Sequence, residues 1–199
     1  MYWPLELRPA FDALFGIEDA LADVVARSTQ PALAAIKLAW WRDRLEELDD
    51  RRVPAEPRLR AAADDLLPRG ISGADLAQLE EGWSGLLYTP PDMALLTEHG
   101  TRLFALGARL LNVPFDDATI GTAGRLFAGV DASRRGIIDL AAGSPGTGGP
   151  IIPRRARALT GLAALAARDI RKGGPPFESE ATPARALVLL RHRWSGRIG

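Results

Sequence analysis

The stretch from Gln30 to Leu48, QPALAAIKLAWWRDRLEEL, sets two adjacent tryptophans in a run whose apolar residues recur every three or four positions. That spacing belongs to a helix. Pro31, following Ser28 and Thr29, is a good first-turn residue for it. Stepping about 100° per residue from Leu33 gathers Leu33, Ile36, Trp40, Trp41, Leu45 and Leu48 on one broad arc, with Lys37 and Arg44 in its middle. A buried cation is costly unless it is paired or its head reaches water. The helix is therefore expected to face a place where acids, an anionic ligand or solvent meets an apolar wall. Lys37, Trp41 and Arg44 are its substrate-binding candidates, although basic stems lying over indoles with their heads in water are the commoner arrangement.

Helical spacing recurs along almost the whole chain, and no stretch alternates as a strand would. Helices are expected over about 9–27, 31–50, 58–67, 74–87, 93–111 and 117–127, the last losing definition near Gly129. They resume over about 154–171 and again after Thr182-Pro183. Ser72-Gly-Ala-Asp75 has the form of a capping box. The segments DDRRVPAEP and YTPPD break the pattern, and Gly173-Gly174 stops it again. The clearest break is GSPGTGGPIIP, at about 143–153. It has no Gly-Lys-Ser/Thr ending and no strand before it, so a Gly/Pro-rich loop is expected there and not a phosphate cradle. The expected fold is a single all-α domain over 1–199.

Composition narrows the function classes. The 25 basic and 25 acidic residues cancel, so no global field favours nucleic acid or an anionic membrane. The absence of cysteine excludes disulfides, thiolate chemistry and cysteine-held metals. The two histidines, His99 and His192, do not form a metal-ligand spacing. No Ser or Cys nucleophile motif lies near His99, which offers it no catalytic partner. No segment approaches the ~20 apolar residues of a transmembrane helix. The opening MYWPLELRPAF lacks the features of a signal peptide, so a cytoplasmic location is expected. Abundant Ala and Gly beside only two lysines suggest a high-GC bacterial genome. The tail Arg185, Arg191, His192, Arg193 and Arg197, interleaved with Trp194, could make peripheral membrane contact, although a frayed solvated terminus is the commoner outcome.

PALAAIKLAWWRDRLEEL resembles the signature helix of the squalene/phytoene synthase family, whose bacterial branch carries a P-x-L-x-x-I-R/K-L-x-W-W-R-D pattern. Lys37, Trp41, Arg42 and Asp43 match it residue for residue. ALFGIEDALADVV (Ala13 to Val25), ALAARDIRKGGPPF (Ala164 to Phe177) and ATPARALVLLRHRW resemble further helices of the family, extending the likeness over about half the chain. The resemblance implies a reduced isoprenoid-synthase fold. In active members it also implies two acidic motifs on facing helices that hold magnesium around a leaving diphosphate. Hard magnesium prefers oxygen ligands, and a diphosphate leaves only when its charge is neutralised.

Those motifs are degenerate here. Asp19-Ala-Leu-Ala-Asp23 has the Asp-x-x-x-Asp spacing, but Asp12, Asp19 and Asp23 align nearly opposite the centre of the apolar arc formed by Phe11, Leu14, Phe15, Ile17, Leu21, Val24 and Val25. A solvated face is expected. Counting back from Pro31, the family's first-motif acids fall near Ala22, Asp23 and Ala26, leaving alanines where pocket-facing carboxylates belong. In the second-motif region, GTAGRLFAGVDASRRG, Asp131 stands alone, with Asp139 beyond, and an isolated Asp there is more often a cap. The leading expectation is thus a family member without prenyl diphosphate condensation, acting as a binding or assembly-assisting module for a protein partner or a prenyl or lipid-like ligand. No cofactor is expected for it. The alternative is a magnesium-dependent prenyltransferase that assembles its metal site from Asp19, Asp23, Asp131 and Asp139. A third reading is an unrelated helical adaptor.

Overall fold

Caps and breakers in the sequence set most of the element boundaries. The computed structural model describes residues 3–50, 55–140 and 151–198, and these are all-helical and turn, with no strand among them. Positions 141–150, most of the Gly/Pro loop, lie outside the described residues, as do 51–54 of the DDRRVPAEP connection. α1 runs Arg8–Ala26 and α2 Pro31–Glu46, continued by a 3-10 turn at Glu47–Asp50. α3 is Pro57–Asp65, where the Glu56 carboxylate accepts from the Leu59 amide at 2.8 Å.

The helix expected over 74–87 is two: α4 at Gly73–Ala77 and α5 at Glu80–Gly85. At the break, the carbonyls of Gln78 and Leu79 accept from Arg102 and His99, side chains of the following long helix. The Ser72–Asp75 capping box forms as expected. Asp49 adds a tertiary cap by accepting from the Gly73 and Ala74 amides. α6 spans Met93–Leu110 behind an Asp92 cap. A π-helical turn at Asp117–Gly121 leads into α7, Thr122–Arg134, which continues unbroken through Gly129. α8 spans Arg157–Arg171 and α9 Pro183–Ser195, separated by Gly173 and Gly174 at φ 101° and 74°.

α6 and α7 form the tightest crossing. A Cβ on Gly100 would lie 2.3 Å from the Gly124 carbonyl oxygen, and one on Gly124 would lie 2.0 Å from the Gly100 oxygen. Only two glycines let these backbones meet. Around this crossing the core gathers Phe11, Leu14, Ile17 and Leu21 of α1, Leu38 and Leu45 of α2, Trp83 of α5, and Leu103 and Phe104 of α6. Phe15 meets Phe127 edge-on at 6.2 Å, joining α1 to α7.

The Trp-Trp helix packs differently from its expected arc. Ala34, Leu38, Trp41 and Leu45 are buried, while Leu33, Ile36 and Trp40 face solvent. The buried seam is therefore rotated by roughly a quarter turn from the expected one. The small Ala34 and the flanking Leu38 make it, because α2 lies close against α1, α4 and α5. Lys37 consequently sits in solvent beside the seam, not in the middle of a wall.

Candidate functional site

α1 presents two adjacent acids in opposite senses. Asp19 faces outward, its side chain 57% exposed. Glu18, about 100° around the helix, shares the inward face with Leu14 and Leu21 and is 1% exposed. A carboxyl buried this deeply needs partners. His99 of α6 supplies one, its Nε2 lying 2.8 Å from Glu18 Oε1. Trp83 of α5 supplies the other, donating from Nε1 to Oε2 at 3.4 Å. The opposite nitrogen of His99, Nδ1, lies 2.9 Å from the Leu79 carbonyl oxygen.

That carbonyl can only accept, so Nδ1 carries a proton. One further proton lies between Nε2 and the Glu18 carboxyl. Burial opposes charge on His99, but Glu18 and the Leu79 carbonyl outweigh it and hold the imidazole above its ordinary pKa. His99 is 1% exposed, and Gly82 leaves room for its Cβ, since a Cβ there would approach to 2.2 Å. With both partners sealed from solvent, the dyad joins α1, α5 and α6 and has no access to a substrate.

Next to this dyad, the acids of the sequence analysis converge, and the group at their centre is an arginine. Arg135, directly after α7, donates from Nε to Asp131 Oδ2 at 2.7 Å and from Nη2 to Asp19 Oδ1 at 2.6 Å. Its Nη1 stands 3.9 Å from Asp23 Oδ1. Asp131 is not a cap: it lies in the last turns of α7, four residues before Arg135. Burial pushes its carboxyl up to about 6, with Glu18 and Asp19 adding like-charge repulsion and Arg135 opposing both. Burial works against the Arg135 charge, yet Asp131 and Asp19 more than offset it and hold the guanidinium above its usual range.

Asp139 is exposed beyond this cluster and is not drawn into it. Among the described residues, no group of three or more His, Asp or Glu side chains is placed to hold a metal ion. Ala22 is buried on the inward face of α1, whereas Ala26 is exposed at the helix end.

Lys37, Trp41 and Arg44 are not gathered into one site. Lys37 is exposed, Trp41 packs in the core edge-on to Trp40 at 5.3 Å, and Arg44 pairs with Glu47 at 2.8 Å. A cleft of about 230 Å³ opens instead between α7, α8 and α9 and contains none of the three. Phe127, Val130, Leu162 and Leu165 form its apolar wall, and Asp131 reaches it from the Arg135 cluster. On its polar side the buried Asp169 accepts from Arg185 at 2.7 Å and from Arg134 at 3.0 Å. The Arg134 guanidinium also lies over the Phe177 ring at 5.1 Å. Glu178 closes this network with Arg168, Lys172 and Thr182, which hold its carboxyl down to about 2, Lys172 foremost. Arg185, assigned by sequence to a basic tail, is thus an internal ion-pair partner. His192 is buried too, between Thr160 and the Arg197 carbonyl.

Sequence reasoning missed Glu18 and Asp169, and it left Arg135 unassigned. No protein-family model, curated protein or solved structure matches this chain.

Proposed function

We propose that this chain is a short, catalytically silent relative of the squalene/phytoene synthases that serves as a binding or assembly-assisting helical module, with a protein surface or a prenyl-type lipid as its partner. The observation that supports the reading is the Arg135 guanidinium bound to Asp131 and Asp19 and close to Asp23. In a magnesium-dependent synthase, acids on facing helices hold hard cations that neutralise a departing diphosphate. Here three of the four candidate carboxylates meet around a cation that belongs to the chain. A guanidinium satisfies them with directed N–H bonds and leaves no oxygen set facing an open centre.

Magnesium does not fit this arrangement. Arg135 holds the position between the acids, Asp139 lies outside the cluster, and the inward acid of α1, Glu18, is committed to His99 and Trp83. No condensation step can be derived from these residues.

The test is to incubate the chain with magnesium and farnesyl or geranylgeranyl diphosphate and to follow pyrophosphate. Release no faster than in protein-free controls is expected. Magnesium-dependent release that disappears in Asp131→Asn would overturn the proposal in favour of a working prenyltransferase.

A further inference from the structure

We propose that the cleft between α7, α8 and α9 binds a small organic ammonium, an apolar body carrying one charged amine, with the Asp131 carboxylate anchoring the amine. Phe127, Val130, Asp131 and Arg134 recur at helical spacing on α7, and Leu162, Leu165 and Asp169 do so on α8, so each helix gives one face to the cleft. Arg134 and Asp169 meet at 3.0 Å and close one end. Phe127 and Leu162 each stand two helical turns back from that ion pair, ~10 Å along the axis. The far end is therefore apolar, and Asp131, one turn from Arg134, lies between the two ends.

The charges of the lining select the ligand. Arg134 and Arg185 are both bonded to Asp169, and Arg134 also donates to the Glu178 carbonyl. Neither is an uncommitted cation, so an entering anion would have to compete with Asp169. Asp131 differs. Arg135 binds its Oδ2, and its Oδ1 takes no hydrogen bond from any described residue. Arg135 also bonds Asp19, while Asp23 has a nearer partner in Arg27, at 3.2 Å, than in Arg135, at 3.9 Å. One guanidinium shared by Asp131 and Asp19 leaves an excess of negative charge. In keeping with this, burial first, and Glu18 and Asp19 after it, push the Asp131 carboxyl up to about 6 even with Arg135 beside it. Glu180 adds a second carboxylate to the lining, with its side chain 83% exposed and Arg134 no closer than 3.9 Å.

A primary ammonium suits this arrangement better than a metal ion does. It carries three N–H donors on one atom, so one can meet Asp131 and the others Glu180 or water. Magnesium would demand several chain oxygens around it, and no such group occurs among the described residues. Apolar walls strengthen the ion pair by lowering the local dielectric, and burying the ligand's body against them adds to it. The cleft of about 230 Å³ also sets the size: it holds about seven water-sized groups at ~30 Å³ each, or roughly six carbons and the nitrogen.

Hexylammonium is the probe, titrated into the isotope-labelled full chain and followed by amide shifts in NMR. For about seven heavy atoms, a dissociation constant on the order of 1 mM is expected. The shifts should saturate and concentrate on Val130, Asp131, Leu165 and Ala166. Hexanol lacks the charge and hexanoate reverses it, so both should bind at least about tenfold more weakly, as should hexylammonium to Asp131→Asn. Leu165→Lys sets an ammonium of the chain's own in the cleft and should abolish the shifts. Leu165 is half-buried, and circular dichroism verifies the fold of both variants. If Asp131→Asn does not fold, the comparison with hexanol and hexanoate decides. The proposal is overturned by the absence of saturable shifts in the cleft, by hexanol or hexanoate binding as tightly as hexylammonium, or by undiminished binding in folded Asp131→Asn or Leu165→Lys. Amine binding does not depend on the loss of condensation, so this titration and the pyrophosphate assay can fail separately.

Discussion

Replacing Arg135 by methionine keeps a long apolar stem and removes the charge, which isolates what the guanidinium contributes. Breaking a buried ion pair by deleting one partner costs about 3–5 kcal/mol. The Arg135 and Asp131 side chains retain 22% and 18% of their exposure, which places this pair at the lower end of that range. Asp19 is half exposed and Asp23 is distant, so each adds ~0.5 kcal/mol or less. The expected loss is about 3 kcal/mol near neutral pH, or ~6–12 °C in Tm for a domain of this size. The pH dependence follows from Asp131. Its carboxyl is already raised to about 6 in the folded chain, and removing Arg135 takes away the influence that lowers it. A carboxyl raised on folding destabilises when ionised, fully above its folded pKa, and this penalty vanishes as pH falls towards the unfolded value. The gap between variant and parent should therefore narrow from about pH 8 to about pH 5, and adding Asp131→Asn should recover most of it. Urea unfolding across that range is the assay. A gap that stays constant with pH, or a loss below ~1 kcal/mol, would mean that Arg135 acts through stem packing, and the electrostatic argument would fail.

Three further outcomes follow from the same geometry. Glu18→Ala strands His99 Nε2 and Trp83 Nε1 in the core and should cost about 3 kcal/mol in urea titration, whereas Glu18→Gln keeps an acceptor and should cost ~1–2. His99 has a raised folded pKa, so its contribution is fully present below the unfolded value of about 6.5 and is lost as pH rises through the folded one. Tm should decline on that alkaline side in the parent and flatten in His99→Gln. Gly124→Ala drives a methyl into the Gly100 carbonyl and should cost at least ~2–3 kcal/mol, against a few tenths for an exposed site such as Ile36→Thr.

Backbone organisation was legible where local chemistry decides it. Thr182, Ser72 and Asp92 cap helices, Pro31 and Pro183 open them, and Gly173-Gly174 end one, all through interactions within a few residues. Facing was less legible. α2 carries large apolar residues on two sides, so a wheel weights Ile36 and Trp40 above Ala34, and only the neighbours of α2 select the Ala34–Leu38–Trp41–Leu45 seam. The split between α4 and α5 depends on His99 and Arg102 reaching carbonyls from another helix. Glu18 did leave a signal, being an acid on the Leu14–Leu21 face, and His99 likewise lies on the Leu96–Leu103 face of α6. Two titratable groups on apolar stripes could have been paired on the need for burial compensation. Asp131 and Arg135 stand four apart on the page, but the link from Arg135 to Asp19 spans 116 positions and emerges only when α1 and α7 are brought together.

The central claim is that the carboxylates which could have gripped a metal already hold Arg135. Its most direct test is the melting temperature of the parent chain and Arg135→Met, each titrated with magnesium and inorganic diphosphate. A ligand bound to the native state at about 100 times its Kd would add ~2.7 kcal/mol. The account predicts no shift for the parent, because the acids are taken. A magnesium-dependent rise in the parent's Tm, lost on Asp131→Asn, would contradict it.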